Sequence, residues 1–365
     1  MEKIIQIRNN LNGFLYRNFV KQIAFMFDAE RVHNLFIKKG RLLGSNKFTR
    51  KIVRDIFHYE NPSLRQEILG INFVNPVGLS AGFDKNAEII DICDEIGFGF
   101  SEVGSVTAKP CAGNAGKRLL RIKERRSIWV NLGLNNNGVD EIANRLKGKK
   151  FDIPYAVSIA KTNSTETIDD TKGIEDYFYT LKKLDNMDIG SFYVINISCP
   201  NSFGGQPFSR PVAYKSLLKQ ISKIKVRKPI FVKLSPDLTK KNIDQIIKIS
   251  EKYSIDGFIC TNLTKKHEFG KGGMSGKAVE EKSLDLLQYI YKKTKGKFVL
   301  VSVGGIFSAQ DAYQRIRNGA SLVEVITGMI YQGPQLISQI NQGMVRLLKK
   351  DGLRNISEAV GADFR

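Results

Sequence analysis

The chain has 365 residues, of which 42% are hydrophobic, 10% aromatic and 25% charged. This composition supplies enough apolar material for a sizeable core and excludes a wholly disordered or fibrous protein. The 57 lysines and arginines outnumber the 36 acidic residues and give a net charge of +21 at pH 7. A charge of this sign favours anionic partners, such as phosphate groups, acidic substrates, nucleic acid or anionic lipid.

Cysteine and histidine usage limits the chemistry that the chain can perform. Its four cysteines, Cys93, Cys111, Cys199 and Cys260, lie far apart without a CxxC pair, which predicts free thiols in a reducing cytoplasm. With only three histidines, we expect neither a metal site nor a Ser/His/Asp triad. No apolar run approaches the roughly 20 residues that cross a bilayer, and the first residues are too polar for a signal peptide.

The segment 1–51 differs from the rest because it holds eleven basic and three acidic residues, a net charge of +8. Apolar residues recur in it at near-helical spacing, which predicts two amphipathic helices broken near Asp28. Two interpretations stay open: a helical extension packed on the main domain, or a basic, aromatic-rich surface that lies on an anionic membrane. We assign 52–365 to a separate catalytic domain.

Beyond residue 75, short β-rich runs alternate with helix-length segments, which predicts parallel strands joined by helices. The eight candidate strands are Val77–Ser80, Phe100–Gly104, Tyr155–Ile159, Tyr193–Ser198, Ile230–Leu234, Gly257–Thr261, Phe298–Val303 and Leu322–Ile326. Eight such strands predict an α/β fold, a (β/α)8 TIM barrel with an N-terminal helical extension. In such barrels the functional residues follow the strands, at the carboxyl-terminal rim.

The residues after these strands indicate a bound phosphate and a reactive thiol. Lys85 follows the first strand, and Lys233 lies inside an apolar strand, where it is expected to meet an anion. Cys199 precedes a glycine-containing loop, a possible lid, and as a thiolate it could remove a carbon-bound proton. The alternative for Cys199 is a small buried core residue. Glycines in GGMSG, VGGI and TGMIYQGP predict a phosphate cradle, which together with the lysines favours flavin mononucleotide (FMN).

Nine blocks in order across roughly residues 65–345 resemble the dihydroorotate dehydrogenases, specifically their membrane-associated, quinone-reducing class. They are NPVGLSAGFDKNAE, GFGFSEVGSVTAKP, NNNGVD, NISCPN, VKLSPDLT, TNLT, GGMSG, VGGI and TGMIYQGP. DAERVHNL resembles the extension that in this class attaches to the membrane and forms the quinone tunnel. The resemblance implies FMN-dependent oxidation of dihydroorotate to orotate in pyrimidine biosynthesis, with electrons passed to a membrane quinone. It also implies a peripheral position on the inner face of the cell membrane.

The same resemblance implies roles for individual residues. Cys199 falls on the catalytic base, and Arg121 falls at the quinone tunnel. The substrate-binding residues would be Lys85, Asn196, Asn201 and Asn262. The flavin would be lined by Ala81, Gly82, Lys85, Ser105, Ser158, Asn196, Lys233, Thr261, Gly276, Gly305, Ile326 and Thr327.

Several positions depart from the family pattern. They are Cys199 in place of the serine of the quinone class, Val130 and Ser158 in place of asparagines, Leu263 in place of a hydroxyl residue, and Ile326 in place of tyrosine. Each lost polar contact could cost about 1 to 3 kcal/mol, and we favour compensation by Asn131 or Asn135.

Three alternatives remain at this point. One is a soluble-type FMN dehydrogenase of a related dihydropyrimidine with another acceptor. Another is a non-redox, phosphate-binding isomerase or lyase that uses Lys85 or Lys233 as an amine nucleophile. The last is a basic binding module without catalysis. Nucleic acid is the least favoured partner, because no recognised binding motif accompanies the charge.

Overall fold

The structure is a computed structural model that describes residues 2–365. The strands are β1 Gln66–Ile68, β2 Ile71–Phe73, β3 Val77–Leu79, β4 Phe100–Val106, β5 Leu119–Ile122, β6 Ser127–Val130, β7 Tyr155–Ile159, β8 Phe192–Asn196, β9 Ile230–Leu234, β10 Gly257–Cys260, β11 Gly273–Gly276, β12 Val299–Val303 and β13 Leu322–Val325. The α-helices are α1 Glu2–Leu15, α2 Lys21–Met26, α3 Ala29–Gly44, α4 Lys47–Phe57, α5 Ile90–Ile96, α6 Val139–Leu146, α7 Asp170–Asn186, α8 Pro211–Ile221, α9 Lys240–Lys252, α10 Glu280–Thr294, α11 Ala309–Arg317, α12 Thr327–Gln332, α13 Leu336–Lys350 and α14 Ile356–Ala359.

Eight parallel strands close into a barrel in the order β10, β12, β13, β3, β4, β7, β8 and β9. All eight predicted strands are present, and their bounds agree with the prediction to within about two residues. Strand β4 is longer than predicted and its pairing with β7 shifts register between Val103 and Val106. The prediction of a (β/α)8 barrel with an N-terminal helical extension is confirmed.

Apolar side chains from alternate strand positions fill the barrel interior. The interior cluster includes Phe100, Ala156, Phe192, Val194, Phe231, Ile259, Val301 and Leu322. The antiparallel hairpin β1–β2 covers one end of this cluster, where the ring centroid of Phe73 lies 5.6 Å from that of Phe100. Because successive strand residues point to opposite faces, the residues two positions beyond these apolar ones also face inward, nearer the carboxyl-terminal rim.

The N-terminal extension contains more helix than predicted. A π-helical turn, Tyr16–Val20, joins α1 to α2, so the first helical stretch runs from Glu2 to Met26. The predicted break at Asp28 is confirmed, and the Asp28 side chain accepts hydrogen bonds from the backbone N–H groups of Glu30 and Arg31 to cap α3. A further helix, α4, was not predicted; it runs through residue 51, so our domain boundary falls inside a helix.

Polar contacts attach the first helix to the barrel. Asn9 is buried, and its side-chain amide donates to the Ser338 hydroxyl at 2.9 Å. Arg8 donates to the same hydroxyl and to the backbone carbonyl of His58. The opposite side of α1 is apolar and exposed: Ile4 and Ile7 are 72% and 67% accessible. The helix therefore presents its apolar stripe outward, the reverse of an ordinary surface helix.

A second, three-stranded sheet lies beside the barrel. Its antiparallel strands have the order β11, β6 and β5, and they place Arg121 and Val130 near the extension. These short strands were not predicted, because three or four residues between loops carry too little periodicity to be recognised. In residues 2–365, no helix combines the length and the apolarity that crossing a bilayer requires.

Candidate active site

A cavity of about 650 Å³ opens at the carboxyl-terminal rim of the barrel, where the strand order predicts the functional residues. It continues outward between α2, α3 and α4, whose apolar side chains, including Phe25, Leu35 and Phe36, form its outer wall. The cavity is thus polar where it meets the strand ends and apolar where it meets the extension.

Fifteen of the sixteen predicted site residues line this cavity. They are Ala81, Gly82, Lys85, Ser105, Arg121, Asn196, Cys199, Asn201, Lys233, Thr261, Asn262, Gly276, Gly305, Ile326 and Thr327. Ser158 is the exception: its hydroxyl lies 3.0 Å from that of Ser105, and of this pair only Ser105 reaches the cavity. The roles that we assigned to these residues stay predictions, but the fold brings the residues together.

Asparagine side chains form a connected polar group on one wall of the cavity. The Asn196 amide donates to Ser105 at 2.8 Å, and the Asn262 amide donates to the Asn196 carbonyl oxygen at 3.2 Å. The side-chain oxygen of Asn201 is buried and has no hydrogen-bond partner in the described chain. A buried acceptor without a partner is costly, so this oxygen is available to an N–H donor of a bound ligand.

Lys233 meets an anion, as predicted from its place in an apolar strand. Its ammonium lies 2.6 Å from a Glu102 oxygen and donates to the Ser80 hydroxyl at 3.3 Å. Burial lowers the pKa of Lys233, but Glu102 and Glu324 more than offset burial and raise it overall. Lys233 therefore stays charged and cannot serve as a free amine nucleophile.

Lys85 lies beneath the extension and does not project from the rim as a solvated cation. Its ammonium lies 3.2 Å from the Nε2 atom of His33 on α3, and the His33 ring packs edge-on against Phe83 at 5.0 Å. Burial lowers the pKa of Lys85 to about 8, against the attraction of Glu30 and Asp84. Burial and the neighbouring Lys85 lower the pKa of His33 to about 3, so the imidazole is neutral.

Cys199 is half-buried on the cavity wall, at the start of the predicted loop. Burial raises the pKa of its thiol to about 11, while the Asn201 backbone N–H and the charges of Lys161 and Lys265 oppose the rise. The expectation that neighbours would lower this pKa below its ordinary value is therefore wrong, because the loss of hydration outweighs two cations. The four cysteines of the described chain are all free thiols.

Lys161 holds the loop that follows Cys199. Its buried ammonium donates to the backbone carbonyls of Phe203 and Thr167 at 2.7 and 2.9 Å. The Phe203 backbone N–H in turn donates to Asn163 at 2.7 Å, so both sides of the same peptide segment are fixed. The loop has defined attachments, and its motion as a lid stays a prediction.

Arg121 joins the side sheet to the break in the extension. Its guanidinium donates to the Phe27 backbone carbonyl at 2.9 Å and lies 4.6 Å from the centroid of the Phe25 ring. Burial lowers its pKa, although Asp28 and two tyrosines oppose this effect. A partly buried cation on an apolar wall is suited to orienting a polar group of a hydrophobic ligand.

Glycines form a tight cradle at the opposite end of the cavity. A Cβ atom at Gly305 would lie 2.4 Å from the Glu280 side chain, and one at Gly276 would lie 2.7 Å from that of Thr327. Both glycines have positive φ angles, +76° and +79°. Across residues 2–365, the backbone N–H groups of Gly304 and Gly305 form no hydrogen bond, which leaves them available to an anion.

Known proteins resemble the chain over nearly its whole length. The family model described as "Dihydroorotate dehydrogenase" matches residues 63–348. The chain belongs to the dihydroorotate dehydrogenase family. It is 38% identical to the dihydroorotate dehydrogenase (quinone) of Natronomonas pharaonis, over 94% of this chain and 98% of that protein. It is 39% identical to the enzyme of the same name from Sulfurovum sp., over 96% and 99%.

Solved structures agree with this assignment. The dihydroorotate dehydrogenase of Eimeria tenella, in complex with ferulenol, superposes with a TM-score of 0.84 at 28% identity, over 93% of this chain and 96% of that one. Its ligand-free form gives a TM-score of 0.76 at 29% identity, over 87% and 99%. The chain is therefore an oxidoreductase, and the non-redox enzyme and the binding module are removed from the alternatives.

The unusual positions of this dihydroorotate dehydrogenase are mostly on the cavity wall. Val130, Leu263 and Ile326 line the cavity and present apolar side chains to it. Asn135 also lines the cavity and is placed to compensate for a lost polar contact, whereas the Asn131 carbonyl oxygen already accepts from Asn114 at 2.8 Å. Between the two compensating residues that we expected, the structure favours Asn135.

Sequence reasoning missed His33, Glu102 and Glu324. His33 stood in the motif DAERVHNL, but nothing in the sequence shows that this helix reaches Lys85. Glu102 and Glu324 each lie inside an apolar strand, as Lys233 does, and the same cost of burying a charge could have identified them.

Proposed function

We propose that the chain binds FMN in the rim cavity, oxidises dihydroorotate to orotate in pyrimidine biosynthesis, and passes the electrons to a membrane quinone. The observation that carries this proposal is the form of the cavity. One continuous space joins the polar strand ends, with Cys199 and Lys85, to the apolar wall formed by the extension. A polar substrate and a hydrophobic acceptor thus reach opposite sides of one cofactor.

The donor set of the cavity fits FMN. The free N–H groups of Gly304 and Gly305 suit a phosphate, and the tight glycine cradle leaves no room for a larger side chain there. Thr261 and Lys233 would face the ring, and the Ser275 and Thr327 hydroxyls, 2.9 Å apart, would lie near the phosphate. Bound FMN supplies the ring that accepts two electrons.

The asparagine group and Lys85 suit a cyclic ureide that carries a carboxylate. Amide donors and acceptors of Asn196, Asn201 and Asn262 complement ring N–H and carbonyl groups, and the free Asn201 oxygen accepts an N–H. The Lys85 ammonium supplies the charge that a carboxylate requires. Val130 and Leu263 narrow the wall with apolar groups, and Asn135 supplies a replacement amide.

Cys199 is the residue positioned to remove the carbon-bound proton. It lies between Asn196 and Asn201 on the wall that would face the substrate. The thiolate is the active form, so the two cations Lys161 and Lys265 assist catalysis by opposing the effect of burial on the thiol.

The extension is proposed to bind the surface of the inner face of the cell membrane and to admit the quinone. The exposed apolar stripe of α1 would enter the acyl boundary, and the basic residues of segment 1–51 would meet anionic headgroups. Arg121, at the break between α2 and α3, would meet the polar head of the quinone.

Orotate binding should weaken as the pH rises above about 8. The pKa of Lys85 is lowered to about 8, so its ammonium is present below that pH and is lost above it. Because the carboxylate then loses its partner, we expect the orotate Kd to rise by about tenfold per pH unit above 8. Absorbance changes of the bound flavin measure this Kd. Lys85→Met should bind weakly at every pH, and a wild-type Kd that is constant from pH 7 to 10 would remove Lys85 from substrate binding.

Turnover in vesicles tests the proposed function as a whole. The purified chain is mixed with anionic vesicles that contain a long-chain quinone, and dihydroorotate is added. We expect one orotate to form for each quinone reduced, and no orotate without acceptor beyond the amount of flavin present. Orotate formation with a soluble acceptor but never with quinone would instead favour the soluble-type alternative.

A further inference from the structure

Three charged side chains meet inside the barrel, directly below the rim cavity. Lys233 Nζ lies 2.6 Å from Glu102 Oε2 and 3.5 Å from Glu324 Oε2. Both glutamate side chains are fully buried, and that of Lys233 is 4% accessible. Each lies two residues beyond an apolar residue of the interior cluster, and these apolar residues are Phe100, Phe231 and Leu322. The three charges therefore form the layer of the barrel interior nearest the cavity.

The two glutamates have unequal partners. Glu102 Oε2 accepts from Lys233 and from the Ala81 backbone N–H at 3.2 Å. Neither oxygen of Glu324 forms a hydrogen bond with any residue of 2–365. A fully buried carboxylate without donors is strongly disfavoured, and one ammonium cannot neutralise two carboxylates. One proton is therefore retained by the pair, and the environment assigns it to Glu324.

No other titratable group faces Glu324 from the flanking strands. Its partner on β3 is Gly78 and its partner on β12 is Val303, and Ser80 is the polar residue at the end of β3. Burial raises the pKa of Glu324 to about 8, Glu102 raises it further, and Lys233 opposes both. Glu324 also lines the rim cavity, beside Ile326 and Thr327.

We propose that Glu324 is a positioning residue that sets the reduction potential of the flavin in the rim cavity by holding or releasing one proton next to Lys233. The inference rests on the proposed FMN site. With Glu324 protonated, the Glu102, Lys233 and Glu324 group is neutral. With Glu324 ionised, the group has a charge of −1. Since two-electron reduction adds negative charge to the flavin ring, ionised Glu324 disfavours the reduced form.

The flavin-loaded chain can be titrated against redox dyes at pH 6.5 and pH 9.5. Relative to Glu324→Gln, the wild type should match at pH 6.5 and should lose at least about tenfold in the reduced-to-oxidised equilibrium at pH 9.5, about 30 mV for a two-electron couple. Glu124→Gln, an exposed change on the turn between β5 and β6, is the matched control and should follow the wild type. Parallel profiles for wild type and Glu324→Gln would overturn the inference while leaving the FMN site intact.

A second measurement does not depend on the flavin. Because the pKa of Glu324 is raised in the folded chain, its contribution to stability is full below its unfolded value and is lost as pH rises toward about 8. The melting temperature of Glu324→Gln should therefore gain on that of the wild type between pH 5 and 8 and stay level above it. A constant difference would contradict a shared proton. A chain that binds no flavin would overturn both the FMN site and this inference, even if the melting curves behave as expected.

Discussion

Replacement of Cys199 by alanine is expected to slow reduction of the bound flavin by dihydroorotate by about two to four orders of magnitude. This is the usual contribution of a general base, and Cys199 is the group on the cavity wall positioned to act as one. In the wild type, the rate should rise about tenfold per pH unit up to about pH 11, because burial raises the pKa of the thiol to about 11. Stopped-flow absorbance at several pH values measures both effects.

Two further variants separate base catalysis from a loss of structure. Cys199→Ser should require a still higher pH, because a hydroxyl ionises less readily than a thiol. Lys161→Gln keeps donors for the Phe203 and Thr167 carbonyls but removes a charge that lowers the Cys199 pKa, so its rate profile should shift to higher pH. Flavin content should be unchanged in all three. An unaltered reductive rate in Cys199→Ala would remove the thiol from the mechanism.

Replacement of the apolar stripe of α1 by glutamine should release the chain from vesicles. Ile4, Ile7, Leu11 and Phe14 are 53% to 72% accessible, so their substitution leaves the core intact. Burying one such side chain in the acyl boundary contributes about 1.5 to 3 kcal/mol, so the fourfold variant should bind anionic vesicles at least about 100-fold more weakly. Reduction of vesicle quinone should fall with binding, while a soluble acceptor reoxidises the flavin at the wild-type rate. Vesicle sedimentation measures the binding.

Val212 provides the matched control for this experiment. It is 81% accessible on α8, away from the extension, so Val212→Gln should change neither vesicle binding nor quinone reduction. If the fourfold variant binds vesicles and reduces quinone as the wild type does, α1 is a structural cap and the membrane surface lies elsewhere.

The barrel and the position of its site could be predicted because both follow from local patterns. Each strand is a short apolar run between helices, and the fold places whatever follows it at one rim, so Lys85, Cys199 and Lys233 could be identified as neighbours. Lys233 could even be assigned an anionic partner, because a buried ammonium needs one. These inferences require no knowledge of which strand is adjacent to which.

The electrostatics of the site could not be predicted, because they depend on contacts between distant segments. His33 reaches Lys85 across 52 positions of sequence, and Glu324 reaches Lys233 only because the barrel closes. The pKa of Cys199 depends on how far the loop and the extension exclude water, which no motif encodes. Ser158 was misplaced for a similar reason: its hydroxyl meets that of Ser105 behind the cavity wall.

Anaerobic mixing of the purified, flavin-loaded chain with dihydroorotate tests the central claim most directly. It needs neither membrane nor quinone, so it isolates the oxidation of the substrate by the bound cofactor. We predict that the visible flavin absorbance bleaches and that one orotate forms per flavin. A flavin that dithionite bleaches but that excess dihydroorotate leaves fully oxidised, at any pH from 7 to 10, would contradict the proposed function.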